Sequence, residues 1–141
     1  MKGILFLCVA NSARSQMAEG IARSLGRSGM KVWSAGSKPT RVRPEAIAVM
    51  NEIGIDISGH ASKSVSDIPM DAVGTIITLC AEEVCPHVPG EVQRLHWRLP
   101  DPAAIDGPEE DRVAAFRRTR HELRCRIVAF LADENVVRRS S

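Results

Sequence analysis

An apolar run, Ile4 to Cys8, stops at a cysteine and gives way within one short loop to apolar positions at Met17, Ile21, Ala22 and Leu25, which recur at helical spacing. That order is strand, loop, helix, and it repeats. Val32 and Trp33 before "SAGSKP" read as a second strand. "RPEAIAVMNEIGI" reads as a second helix, with Pro44 suited to its first turn and Gly54 to its stop. "GTIITL", Gly74 to Leu79, is the most β-branched run of the chain and leads into Cys80, and "EVQRLHW" offers a further short strand. Beyond the Pro- and Asp-rich "LPDPAAIDGPEED" the pattern predicts a long helix from about Glu109 to Ala132, with Val113, Phe116, Leu123, Ile127, Phe130 and Leu131 as its apolar stripe. Strands alternating with helices predict a doubly wound α/β domain with a mostly parallel sheet, whose ligands bind beyond the carboxyl ends of the strands. Cys8 and Cys80 both fall at such ends.

The 141 residues suit one domain, here residues 1–135, with 136–141 read as a frayed tail. No internal repeat or linker supports a second. With 19 basic and 17 acidic residues the net charge is +2, which gives no global electrostatic case for nucleic acid or an anionic membrane. The apolar start "MKGILFLCVA" is too short for a membrane span and lacks the flanks of a signal peptide, so a cytoplasmic protein is expected. In reducing surroundings the four cysteines, at 8, 80, 85 and 125, point to redox, catalytic or metal roles rather than structural disulfides.

A loop from strand to helix exposes backbone N–H groups at the positive end of the helix dipole, where a tetrahedral oxyanion binds readily. No proline removes a donor between Cys8 and Ser15, so Val9, Ala10, Asn11, Ser12, Ala13, Arg14 and Ser15 are the candidate oxyanion site. Arg14 adds a permanently charged fork that grips two oxygens. The same surroundings favour a thiolate, which makes Cys8 the candidate nucleophile. Ser15 is placed to cap the helix and to donate to the sulfur, and Asn11 tolerates left-handed backbone. A lone strand-end cysteine is more often a small buried hydrophobe. The spacing of Cys8, Arg14 and Ser15, between a strand and a helix, reverses that preference.

"CVANSARSQMAEG" resembles the anion-binding loop shared by low-molecular-weight protein tyrosine phosphatases and the arsenate reductases built on the same fold. The resemblance extends through "VWSAGSKP", "AIAVMNEIGIDISGHASKS", "TIITLC" and "LHWRLPDPA". It implies a single three-layer domain, a four-stranded parallel sheet flanked by helices. For the reductase branch, of the thioredoxin-coupled type, it further implies that Cys8 bonds arsenate and that Cys80 releases arsenite by forming a disulfide with Cys8. Cys85 would then take over Cys80 and pass the disulfide to thioredoxin. Asp101 matches the acidic residue of the family's Asp-Pro motif, a general acid for the departing oxygen; taken alone it is a turn aspartate before Pro102.

Where the phosphatases usually carry a tyrosine after that Asp-Pro, this chain has Ala103, and it has no tyrosine at all. A pocket without aromatic walls suits a small inorganic anion: arsenate, with phosphate or sulfate as mimics. Half a zinc site is the alternative for Cys80 and Cys85, but His60, His87, His96 and His121 show no ligand spacing, and no metal is expected. Some reductases of the family hold potassium through the equivalents of Asn11, Glu19, Ser34 and a later carboxylate. Here Lys63 falls at that last place. Cys125 is read as a structural helix residue, and the arginines from 117 to 126 as a solvated face. The expectation is a monomeric arsenate reductase without bound cofactor, drawing electrons from thioredoxin or from glutaredoxin and glutathione, with weak phosphatase activity. The alternatives are a phosphatase acting on small phosphate esters or phosphotyrosine, and a non-catalytic oxyanion or thiol redox sensor.

Overall fold

The computed structural model describes residues 2–26, 29–81 and 90–140, with side chains through 133. The elements run β1 (Gly3–Cys8), α1 (Arg14–Leu25), β2 (Val32–Gly36), α2 (Pro44–Asn51), β3 (Val73–Thr78), β4 (Gln93–His96) and α3 (Glu109–Ser140). Short 3-10 turns occur at Val65–Asp67, Met70–Ala72 and Pro102–Ala104. The four strands form one parallel sheet in the order β2-β1-β3-β4, as the alternating pattern predicts.

All six residues of β1 are buried, which is why the strand reads as a continuous apolar run rather than an alternating one. Its side chains still alternate in direction. Ile4 and Phe6 join the larger core with Met17 and Ile21 of α1, Val49 and Met50 of α2, and Phe116, Leu123 and Ile127 of α3. Leu5 and Leu7 turn to the opposite face, where Ile68 from between two 3-10 turns packs with Val73 and Ile76 of β3. Each fully buried Leu, Ile or Phe contributes roughly 1.5–3 kcal/mol relative to exposure. Trp97, just past β4, ties the sheet to α3, with ring centroids 6.3 Å from Phe6 and 6.2 Å from Phe130.

After β1 the chain crosses to β2 on one side, while β3 lies on the other. The opening between the carboxyl ends of β1 and β3 is therefore the point where the strand order reverses, the expected ligand crevice of such a sheet. Pairing continues one step past β3, with the Leu79 N–H on the Leu7 carbonyl at 2.9 Å. That bond sets Cys8 and Cys80 at neighbouring strand ends.

Two details depart from the sequence reading. α3, expected to end near Ala132, continues to Ser140, and no glycine or proline lies within it to stop it. The arginine-rich face of α3 is also more than solvated. Arg117 and Arg120 both donate to the Glu52 carboxylate at the end of α2, at 2.6 and 2.7 Å, and Arg120 reaches the Val49 carbonyl as well. Gly54, at φ +78°, makes the left-handed turn that leaves α2, as predicted. Among the described residues no helix is long and apolar enough to cross a membrane.

Hydrogen bonds from Arg117 and then Arg120 hold the Glu52 carboxyl at about 2, below its ordinary 4.5. A lowered carboxyl contributes stability above its unfolded value and loses it as pH falls toward the folded one. Glu52→Gln should thus lower the urea midpoint at pH 7, and the gap to the parent should close between pH about 4.5 and about 2. A gap that stays constant across that range would show that the carboxylate charge plays no part.

Candidate active site

β1 ends at Cys8 and α1 begins at Arg14, so five residues reverse the chain. Their carbonyls are tied from outside. Val9 O accepts from the Lys38 N–H at 2.9 Å, Ala10 O from Thr40 at 3.1 Å and Ser12 O from Arg43 at 2.9 Å. Asn11 O accepts from the Ser62 hydroxyl at 2.7 Å. In a trans peptide the C=O and the following N–H point opposite ways. Anchoring four consecutive carbonyls outward therefore turns the N–H groups of Ala10, Asn11, Ser12 and Ala13 to the other side. There lies a cavity of about 220 Å³, lined by Cys8, Val9, Ala10, Ser12, Ala13, Arg14 and Asp101. No aromatic side chain is among them.

Asn11 sits at φ +49°, the left-handed conformation that asparagine adopts more readily than most residues. Gly36 makes room for this turn. A Cβ there would run into the Val9 carbonyl and lie 3.0 Å from the Asn11 nitrogen.

Cys8 is buried, and its Sγ lies 2.8 Å from Ser15 Oγ. Asn11 Nδ2 donates to the same hydroxyl oxygen at 2.8 Å, and the hydroxyl's own proton is the donor to the sulfur whenever Cys8 is a thiolate. Ser15 does not cap the helix as expected: the cap position is Ala13, without a side-chain bond, and Ser15 lies inside the first turn. Its hydroxyl is committed to Cys8 instead. Arg14 is buried, and its Nη1 donates to the carbonyls of Leu79 at 3.3 Å and Leu99 at 2.9 Å. The guanidinium is thereby held against the chain segments that follow β3 and β4. Asp101 accepts from the Ala103 N–H at 2.9 Å and so starts the Pro102–Ala104 turn, while its side chain also borders the cavity. The turn reading of this residue is thereby observed.

Cys80 is buried and disulfide-bonded, while Cys8 and Cys125 are free thiols. Cys85 lies outside the described residues. Cys125 lies on α3, as expected, and is exposed, with Sγ 3.7 Å from His121 Nε2. Among the described residues no group of three or more His, Cys, Asp or Glu side chains is arranged to hold a metal. Lys63 lies 3.5 Å from the buried Glu19 carboxylate, which also accepts from Ser34 at 2.8 Å. Two contributors went unnoticed in the sequence: the 38–43 segment that anchors the loop, and Gln16 with His60 behind it. Gln16 is fully buried, and a polar side chain one residue past the Arg14-Ser15 pair was the available signal. Burial, its largest influence, holds His60 below its ordinary value, partly offset by the charge of Glu19.

This loop, its buried thiol and its buried arginine meet around one small cavity at the reversal point of a parallel sheet. The family model for low molecular weight phosphotyrosine protein phosphatases matches residues 3–140, and the chain belongs to that family. Within it the chain is similar to the arsenate reductase of Halalkalibacterium halodurans, 42% identical over 131 residues, covering 92% of this chain and 94% of the relative. Among solved structures it is similar to one of an arsenate reductase in the phosphate binding state, with TM-score 0.79 and 37% identity over 94% of this chain and 98% of that one. It is also similar to a thioredoxin-dependent arsenate reductase of Corynebacterium glutamicum, with TM-score 0.64 and 28% identity over 92% of this chain and 63% of that one.

Ser15→Ala should slow alkylation of Cys8 by iodoacetamide at neutral pH by roughly tenfold, the lower end of what a hydrogen bond to a charged group contributes. Thermal melting should stay close to the parent. An unchanged rate would mean that the 2.8 Å contact does not stabilise the thiolate.

Proposed function

We propose that this chain is an arsenate reductase that converts arsenate to arsenite and draws its electrons from thioredoxin. The observation that carries the reading is a free thiol, Cys8, bordering a small oxyanion cavity, with a second cysteine, Cys80, at the end of the adjacent strand. A phosphatase needs only the first of these. That Cys80 forms a disulfide at all, beside a free Cys8, supports its place in thiol exchange.

In this reading arsenate enters the cavity, where the loop N–H groups and Arg14 offset its charge. The Cys8 thiolate attacks arsenic, Asp101 gives a proton to a departing oxygen, water leaves, and a thiol-arsenate ester remains. The Cys80 thiolate then attacks the Cys8 sulfur. The sulfur–arsenic bond breaks with its electron pair left on arsenic, which passes from As(V) to As(III) and departs as arsenite, taking its protons from solvent. A Cys8–Cys80 disulfide results. Cys85 attacks Cys80 as a thiolate, returning Cys8 as a thiolate and leaving a Cys80–Cys85 disulfide. The dithiol of thioredoxin reduces that bond and is itself oxidised to a disulfide. The similar Corynebacterium glutamicum protein, described as thioredoxin-dependent, supports this donor.

Arsenate-dependent NADPH consumption is the direct test, run once with thioredoxin and thioredoxin reductase and once with glutaredoxin, glutathione and glutathione reductase. Sustained consumption is expected with thioredoxin alone. It should vanish in Cys8→Ser, Cys80→Ser and Cys85→Ser, while the last two keep sulfate binding. Full turnover by Cys80→Ser and Cys85→Ser overturns the relay. Consumption only with glutathione reassigns the donor. Hydrolysis of phosphate esters that survives both changes, with no arsenate-dependent consumption, replaces the reductase by a phosphatase.

A further inference from the structure

A second cleft opens between the segment that follows β4 and the middle of α3. It holds about 440 Å³, about twice the oxyanion cavity. Its walls are largely apolar: Leu99, Pro100, Pro102 and Ile105 from the segment, and Ala115 from α3. Ile105 is a large hydrophobic side chain that the fold leaves open to solvent, 39% exposed.

Three polar side chains of α3 also border the cleft, Arg118, Thr119 and Glu122, and two of them are committed elsewhere. The Thr119 hydroxyl donates to the Ala115 carbonyl at 3.0 Å. Glu122, one turn past Arg118, accepts instead from Arg126 of the following turn, at 2.7 Å. Arg118 is exposed, and among the described residues its guanidinium has no hydrogen-bond or ion-pair partner. Arg117 and Arg120 beside it are both paired with Glu52.

Asp101 borders both spaces. The turn that it starts is held by two bonds to Asp101 itself, from the Ala103 N–H to the carboxylate at 2.9 Å and from the Ala104 N–H to the carbonyl at 3.1 Å. A body in the second cleft therefore rests against the turn that brings Asp101 to the oxyanion cavity.

A concave, mostly apolar space with one placed charge is the ordinary form of a small-molecule site, and this volume falls in the usual range. The apolar walls suit a hydrocarbon or aryl body. The unpaired guanidinium suits a carboxylate, which its fork receives through two hydrogen bonds. Asp101 and Glu122 also line the cleft, so a second negative charge on the ligand would be repelled. We propose that this cleft binds a small amphipathic monocarboxylate, with its apolar body against Pro102 and Ile105 and its carboxylate on Arg118, and that occupancy braces the Asp101 turn. The inference goes beyond the reductase reading, and its test contains no arsenate.

The probe is 4-phenylbutyrate, titrated into the full-length protein while backbone amides are followed by NMR. Saturable shifts are expected in residues 99–105 and 115–122, with Kd about 2 mM or tighter, which a ligand of about twelve non-hydrogen atoms reaches at ordinary efficiency. Without the charge, 4-phenylbutanol should bind roughly tenfold more weakly, and Arg118→Gln should cost 4-phenylbutyrate the same factor, as for one hydrogen bond lost to a charged group. Ile105→Ser should weaken binding roughly fourfold, for about one methylene no longer buried. Both positions are exposed, so thermal melting should stay close to the parent. With the probe bound, hydrogen exchange at Ala103 and Ala104 should slow in the parent, and less so in Arg118→Gln at the same probe concentration. The proposal is overturned if the shifts do not saturate, if 4-phenylbutanol binds as well as 4-phenylbutyrate, or if either variant keeps the parent affinity. Exchange at Ala103 and Ala104 that ignores the bound probe overturns the bracing. Saturable shifts confined to residues 8–14 would put the probe in the oxyanion cavity and overturn the second site.

Discussion

Four carbonyls in a row, from Val9 to Ser12, take hydrogen bonds from outside the loop, and the chemistry of the site depends on that constraint. A free five-residue turn would sample many peptide orientations, and any inward carbonyl would repel an anion. The donors are spread along the chain: backbone N–H groups of Lys38, Thr40 and Arg43, and the hydroxyl of Ser62. The segment after β2 thus belongs to the anion site although none of its residues borders the cavity. Gly36 allows the approach by having no side chain to hold the loop off.

The sheet supplies the rest. A reversal of strand order opens the crevice between β1 and β3, and the two cysteines stand at its lips because each ends an apolar strand. Arg14 is the first residue of α1, yet its side chain reaches the carbonyls that follow β3 and β4. One side chain thereby joins three strand ends, and the main-chain carbonyls of Leu79 and Leu99 fix where its charge sits.

What was legible in the sequence was local. Cys8, Arg14, Ser15 and the strand before them fall within a dozen residues, where period and loop chemistry are direct evidence. The left-handed Asn11 was legible for the same reason. The loop's anchors were not, because a backbone N–H leaves no mark in a sequence: Lys38, Thr40 and Arg43 donate regardless of their side chains. Gln16 and His60 meet across 44 positions, and no period connects them. Cys125 was legible as a helix residue, and its exposure follows from the same period. It is two residues past Leu123, about 200° round a helix, and so faces away from the side that Leu123 and Ile127 bury. The end of α3 was misplaced because composition suggested fraying where no residue type enforces a stop.

Leu79 is held at both ends of its peptide frame: its N–H is bound to Leu7 and its carbonyl to Arg14. It is fully buried and immediately precedes Cys80. Cys80 therefore follows a peptide tied on one side to β1 and on the other to α1, and the oxyanion loop between those two elements shares the same support.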